Sequence, residues 1–459
     1  MQQLNVELRP VAELIPYANN ARIHSPAQID QIARSIERFG FTNPVLIDDA
    51  DGIIAGHGRV EAAKQLGRRH VPTIRLAHLS EADRRAYILA DNKLAENAGW
   101  DNELLAIELQ GLIDIDFDLG GLGFTTTEID IVLDGALAKG PTEGDEKLDA
   151  VPANRNGPPI TKRGDLWVLG DHRLLCGDAR SRDEVGRLCI SPSGEQERID
   201  MLFTDPPYNV PIAGHVSGLG KTVHREFAEA SGEMTKGEFI TFLTETLGTA
   251  AGQLRDGAIA YVCMDWRHMG ELLDAGQSVF DELKNLCIWN KTNGGMGTFY
   301  RSKHELVFVF KKGTATHINN FSLGEGGRYR TNVWDYAGIS SISQNRSEEL
   351  AMHPTVKPVA MIADAMRDCS HRGSVVLDVF GGSGSTLIAA EDCGRKARLL
   401  ELDPIYCDTI IERWEQLTGR KASLQSDDNR GSPKTVQNKN ANTGRLKSSL
   451  LASTSEVLS

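Results

Sequence analysis

Asp378-Val379-Phe380-Gly381-Gly382-Ser383-Gly384-Ser385-Thr386 reads as a strand end, a glycine turn and a helix start. The glycines permit backbone conformations that side chains forbid and leave N–H groups open to a ligand. Such a turn belongs to the strand–turn–helix units of α/β folds, and it sets the fold class. Upstream, Thr204-Asp205-Pro206-Pro207-Tyr208-Asn209 ends an apolar run, Ile199 to Phe203, that reads as a buried strand. The cluster suits an exocyclic base amine. Asp205 can accept one N–H, the Pro206 carbonyl another, and Tyr208 can stack on the ring. Downstream, the apolar strand Ala397 to Leu400 ends at Glu401-Leu402-Asp403-Pro404. An acid this far past the glycines, from position 382 to 401, commonly binds ribose hydroxyls in nucleotide-binding α/β folds.

Together the segments resemble the catalytic and cofactor motifs of the amino-methylating DNA methyltransferases, which act on adenine N6 or cytosine N4. His353-Pro354-Thr355-Val356-Lys357-Pro358 and Ile288-Trp289-Asn290-Lys291 resemble further blocks of that family, and Gly177-Asp178 fits its Gly-Asp pair. The resemblance spans residues of about 160 to 420, with the catalytic block first, as in the circularly permuted β group. It implies a Rossmann-like domain with S-adenosyl-L-methionine as cofactor and double-stranded DNA as partner. Asp205, Pro206, Pro207 and Tyr208 become the catalytic set. Asp178, Lys357, Asp378, Phe380, Gly382, Gly384, Thr386 and Glu401 become the cofactor contacts. The implied reaction is in-line attack by a base amine on a sulfonium methyl, after the base has flipped from the duplex. An aspartate in the first motif position points to adenine N6, with cytosine N4 as the alternative. Methylation at cytosine C5 needs a cysteine nucleophile, usually after proline, and the chain has no Pro-Cys pair. Two further readings stay open: a DNA-binding regulator that keeps an inactive methyltransferase fold, and a nucleotide-dependent dehydrogenase.

The net charge of −13 is unusual for a DNA enzyme, but residues 291–330 hold seven basic residues against two acids, Glu305 and Glu325. Lys291, Arg301, Lys303, Lys311, Lys312, Arg328 and Arg330 are therefore the expected phosphate contacts, in a target-recognition region of about 291–350.

Residues 1–120 read as a separate α+β unit. Ser25-Pro26-Ala27-Gln28 opens a helix with Ile29, Ile32, Ala33 and Ile36 on one face up to Gly40. A hairpin through Asp51-Gly52 then enters Gly56-His57-Gly58-Arg59 at a helix N-terminus, and Val71 to Ile74 reads as another strand. The layout resembles the ParB-like domain of partition proteins and sulfiredoxins. That resemblance implies a nucleotide-phosphate site at Gly56, His57, Gly58 and Arg59. No cysteine precedes Cys176, which excludes sulfiredoxin chemistry.

Residues 121–160, with Thr125-Thr126-Thr127 and an acidic run from Glu143 to Asp149, suit an exposed linker, and 161–420 is the expected methyltransferase domain. Residues 421–459 are expected to be disordered. The seven cysteines show no Cys-x-x-Cys spacing, so neither a metal site nor a disulfide framework is expected. A start without a signal-peptide pattern, in a chain without a membrane-length apolar run, leads to the expectation of a cytoplasmic protein.

Overall fold

A computed structural model of the protein describes residues 5–115, 117–136, 146–152, 157–191, 193–210, 229–291, 294, 299–321, 330–338 and 356–425. Two sheets organise them. The smaller joins strands β1 (Val6–Pro10), β2 (Val45–Ile47), β3 (Ile53–Ala55) and β4 (His70–Arg75) in the order β1-β4-β2-β3. The hairpin of β2 and β3 is antiparallel, and β4 runs parallel to β2. Ser25 caps the helix Pro26–Phe39 by accepting the Gln28 N–H at 3.2 Å, and Gly40 ends it at φ 80°. The helix packs Ala33 and Ile36 against Ala62 of the helix His57–Gln65. Strand β1 is not among the expected elements; it pairs antiparallel with β4 from Val6↔Ile74 to Pro10↔His70.

The described residues of the stretch 121–160 correct the linker expectation, while 137–145 and 153–156, with the start of the acidic run, lie outside the described residues. Helices Asn102–Asp114 and Thr126–Ala136 pack together through Ala106, Leu109, Ile129 and Leu133. The threonines are helix-start chemistry: Thr125 Oγ1 accepts the Glu128 N–H, and the Glu128 carboxylate accepts the Thr125 N–H at 2.7 Å, a capping box. This helical module docks on the larger domain. Asp130, 2% exposed, pairs with Arg395 at 2.9 Å and Arg372 at 3.2 Å. Nearby, Val359 donates its N–H to Asp149 Oδ1 at 2.9 Å, and Arg413 donates to the Leu148 carbonyl at 2.8 Å.

The larger sheet contains β5 (Leu166–Leu169), β6 (His172–Cys176), β7 (Ile199–Thr204), β8 (Leu254–Met264), β9 (Glu282–Asn290), β10 (His304–Lys311), β11 (Val333–Asp335), β12 (Val375–Asp378), β13 (Lys396–Glu401) and β14 (Ser423–Leu424). Their order is β11-β9-β10-β8-β7-β12-β13-β6-β5-β14. The central five, β8-β7-β12-β13-β6, are parallel, and β10 runs against β8. Strands buried on both faces need helices on both. Lys236–Ala251 and Met269–Val279 cover one face; Val359–Cys369, Ser385–Cys393 and Pro404–Thr418 cover the other. The domain is Rossmann-like. Strand β7 leads to β8 on one side while its neighbour β12 leads to β13 on the other, so the order reverses between them. Ligands bind in the crevice at the carboxyl ends of such a switch point. Strand β7 precedes the glycine-turn strand β12 by more than 170 positions (Met201 against Val376), yet the two pair directly.

Within the expected tail, Ser423 and Leu424 pair with β5, and residues 426–459 lie outside the described residues. Among the described residues, no helix is long and apolar enough to cross a membrane.

Candidate active site

Strand β7 is buried up to Thr204, and two prolines that cannot continue the ladder stop it there. Asp205 therefore stands at the rim of the crevice. Asn209, at φ 53°, secures the turn by donating to the Met234 carbonyl at 2.8 Å and accepting the Gly232 N–H at 3.1 Å. Tyr208 donates its hydroxyl to Asp205 Oδ1 at 2.7 Å. The other Asp205 oxygen accepts from Lys357 Nζ at 2.5 Å. Burial pushes the Asp205 pKa up against the pull of Lys357, with the Glu305 carboxylate adding to the rise.

Lys357 is expected from its motif at the cofactor end but stands in the corner formed by Asp205 and Tyr208. Its side chain is 5% exposed and pairs with Asp205 and, at 3.1 Å, with Glu305. Glu305 also pairs with Lys291. Burial opposes the Glu305 charge, but Lys357 and Lys291 outweigh it and hold the carboxyl at about 2. Reading the sequence missed Glu305. The available signal was an acid opening the apolar strand β10 inside a basic stretch.

The glycine turn forms the other end of the same crevice. Gly384 caps the helix Ser385–Cys393 in the left-handed region, φ 84°, where an added Cβ meets Ile410 at 3.1 Å; Gly382 has φ 51°. Gly384 therefore shapes the turn without lining the crevice, whereas Gly381 and Gly382 form part of its wall. Glu401 accepts the Gly382 N–H at 2.7 Å and the Asp403 N–H at 2.8 Å. Burial still pushes its pKa up to about 7. Asp378 braces the two strands: it accepts from Thr204 Oγ1 at 2.9 Å, Thr386 Oγ1 at 2.6 Å and the Phe380 N–H at 3.0 Å, and burial again raises its pKa to about 7. Three of its acceptor sites and the Thr386 hydroxyl proton are thus engaged inside the protein, although both residues line the crevice. Phe203, Phe242 and Phe380 supply an apolar wall, with the Phe242 and Phe380 rings 6.0 Å apart. Asp178 lines the mouth, its carboxylate held by Arg180, which also reaches Glu229 at 2.6 Å.

The expected basic surface needs correction. Lys311 pairs with Glu282 and Lys312 with Asp281, at the amino end of the parallel strands. From His304 to Lys311 the strand covers about 23 Å at roughly 3.3 Å per residue, so both lysines sit on the opposite edge from the crevice. Arg330 is tied to Asp368 at 2.9 Å and to the Tyr336 hydroxyl at 3.0 Å, and Lys291 is engaged by Glu305. Arg301 and Lys303 remain exposed at the crevice end of the sheet, and Arg328 lies outside the described residues.

In the smaller domain, Gly56 caps the helix His57–Gln65 in the left-handed region at φ 101°. Asn20, Arg22, Arg59, Asp91 and Asn92 surround this turn. Burial lowers the His57 pKa, and its neutral ring accepts the Tyr17 N–H at 3.2 Å. Gly58 packs closely, with Ile32 3.0 Å from an added Cβ.

Three family profiles match the chain: a ParB N-terminal domain over residues 2–93, a ParB-methyltransferase HTH domain over 103–163 and a DNA methylase over 199–412. The ParB-like nuclease domain-containing protein YnaK of Escherichia coli is 50% identical over 84 residues, 18% of this chain and 97% of that protein. The type II methyltransferase M.HpaI of Haemophilus parainfluenzae is 23% identical over 261 residues, 53% of this chain and 74% of that one. A DNA modification methylase of Thermus thermophilus, solved with S-adenosyl-L-methionine, is 22% identical, with a TM-score of 0.36 over 54% of this chain and 94% of that one.

Proposed function

The chain belongs to the N6/N4 DNA methylase family and carries a ParB N-terminal domain, and from that premise we propose that it methylates the N6 amino group of adenine in double-stranded DNA, with S-adenosyl-L-methionine as cofactor. One observation carries this reading. A single crevice joins a buried carboxylate–tyrosine–lysine corner to an aromatic-walled glycine turn with an acid at its rim.

The donor set fits the cofactor. Glu401 keeps lone pairs for ribose hydroxyls after accepting two backbone N–H bonds, and Phe380 and Phe242 provide apolar area for a base. Acids at the crevice wall suit a cationic ligand. When bound, S-adenosyl-L-methionine supplies an activated methyl group on a sulfonium. Asp205 accepts an N–H of the substrate amine and stabilises the positive charge that develops on its nitrogen. Each Asp205 oxygen already accepts one bond and has capacity for a second, so the amine need not displace Lys357. Tyr208, fixed by its hydroxyl, offers its ring to the flipped base, whose stacking offsets the cost of extrusion. Lys357 stays protonated between its two carboxylates, so it orients rather than accepts a proton. The aspartate at position 205 favours adenine over cytosine.

At the other glycine turn we propose a nucleotide-phosphate site, in which Arg59 and Arg22 supply positive charge beside the N-terminus of the helix His57–Gln65. Digestion of DNA treated with protein and cofactor, followed by nucleoside mass spectrometry, tests the main reading. N6-methyldeoxyadenosine is expected. N4-methyldeoxycytidine reassigns the base, and the absence of both overturns methyl transfer.

A further inference from the structure

The catalytic corner contains more charge than the proposed chemistry uses. Two carboxylates, Asp205 and Glu305, face two ammonium groups, Lys357 and Lys291, and all four are partly or wholly withdrawn from solvent. The Lys357 ammonium lies 2.5 Å from Asp205, 3.1 Å from Glu305 and 3.2 Å from the Tyr208 hydroxyl. It also stands 5.5 Å above the Tyr208 ring and 5.9 Å above the Trp289 ring. Lys291 lies over the same indole at 4.5 Å. Trp289 is fixed in turn by donating its ring N–H to the Tyr336 carbonyl at 2.9 Å. Glu305 is placed from β10, opposite Trp289 in the antiparallel register with β9. The four groups therefore come from four separate segments and form one continuous chain of ion pairs, Asp205–Lys357–Glu305–Lys291.

We propose that Glu305 is a positioning residue and a counter-charge: it anchors Lys357 against Asp205 while keeping the catalytic corner electrically neutral. The inference rests on the reading of the crevice as a sulfonium-cofactor site. Lys357 holds Asp205 in place, but alone it brings a positive charge to a site that must receive a cationic donor and a nitrogen that turns cationic until a proton leaves to water. With Glu305 the four groups sum to zero. Without it they sum to +1, because one carboxylate then stands against two ammonium groups. An uncompensated unit charge in the same poorly screened crevice changes binding and rate of a cationic donor by roughly one to two orders of magnitude. Lys291 takes the second Glu305 oxygen and completes the balance.

The test compares calorimetric binding of S-adenosylmethionine, a cation at sulfur, with S-adenosylhomocysteine, its neutral thioether. In Glu305→Gln the ratio of the two dissociation constants shifts by about tenfold towards the thioether, and kcat for DNA methylation falls by about 100-fold. Adding Lys291→Gln restores neutrality, returns the ratio to within about threefold of wild type and recovers at least tenfold of the rate. A residue that merely filled space would not be rescued by removing a lysine. If Glu305→Gln does not fold, Glu305→Asp carries the test: a rate within about tenfold of wild type supports the proposal, and a rate as low as that of Asp205→Ala overturns it. An unchanged ratio in Glu305→Gln, or a double variant no better than the single, overturns the counter-charge role. A wild-type protein that binds neither ligand overturns the cofactor reading and this inference with it.

Discussion

Two glycine turns, one at Gly56 and one at Gly384, use the same backbone device in different surroundings. Each glycine lies in the left-handed region and caps a helix that follows a strand. Around Gly56 the side chains are Asn20, Arg22, Arg59, Asp91 and Asn92; around the Gly381–Gly384 turn they are Phe242, Phe380, Glu401 and Asp378. The first setting offers guanidinium groups to phosphate. The second offers acceptors to hydroxyls and an apolar wall to a base. The turn supplies backbone N–H groups and close approach in both cases, and the neighbouring side chains choose the ligand.

The comparison would lose its meaning if the two turns lay in unrelated units, so the largest expected effect concerns what joins them. A chain starting near residue 155 contains every motif assigned to methyl transfer, and on sequence grounds it should be independent. The structure argues otherwise. Removing Asp130 leaves Arg395, whose side chain is fully buried, without its carboxylate, and Leu148 and Asp149 are lost as partners of Arg413 and Val359. A buried charge stripped of its partner costs about 3–5 kcal/mol. The chain from 155 should therefore melt about 10 °C lower than a chain from about residue 98. Equal melting temperatures would show that the helical module does not brace the larger domain.

The next effect is a reciprocal one. Glu401→Gln should weaken S-adenosylmethionine binding by about 30-fold and leave nucleoside triphosphate binding unchanged, and Arg59→Ala should do the reverse. Loss of both ligands in either variant would erase the distinction between the turns. The pH dependence sharpens it. Burial holds free Glu401 at about 7, above its ordinary range, and hydroxyl donors favour the ionised form. Cofactor affinity should thus rise by about tenfold from pH 6 to 8, and the rise should vanish in Glu401→Gln. In the free protein the sign is opposite: a raised carboxyl pKa favours the folded state at low pH, and that contribution fades as pH climbs from the ordinary value towards about 7.

The smallest effect concerns DNA. Replacing Arg301 and Lys303 with alanine should flatten the salt dependence of DNA binding by about 0.9 log units per lost phosphate contact. Lys311→Ala with Lys312→Ala should change nothing. A shallower slope in the latter pair would move the DNA surface to the far edge of the sheet.

These outcomes follow how far the sequence could be read. The parallel core and both glycine turns were legible because apolar runs ending in glycine or proline leave few local alternatives. The small sheet's first strand was not, since Val6, Leu8 and their neighbours are exposed along an edge and carry no burial signal. The helical module was hidden because Thr125 and Glu128 look like linker residues until they are seen as a capping box. Charge counted along the chain also misled: the length of the extended strand from His304 to Lys311 separates Lys311 from the crevice by the depth of the sheet. The catalytic corner was half visible. Asp205 and Tyr208 are close in sequence, but Glu305 reaches them only through the pairing of β7 with β8 and of β8 with β10, and Lys357 comes from the segment that opens the helix Val359–Cys369.

The central claim is that Asp205 serves the base and Glu401 the cofactor within one crevice. The most direct test is tritium transfer from methyl-labelled S-adenosylmethionine to duplex DNA by the full chain and by Asp205→Ala, at a cofactor concentration that saturates both. The account predicts that wild type labels DNA, while Asp205→Ala binds cofactor within a few fold yet transfers about 1000-fold more slowly. Transfer by Asp205→Ala at more than a tenth of the wild-type rate would contradict it.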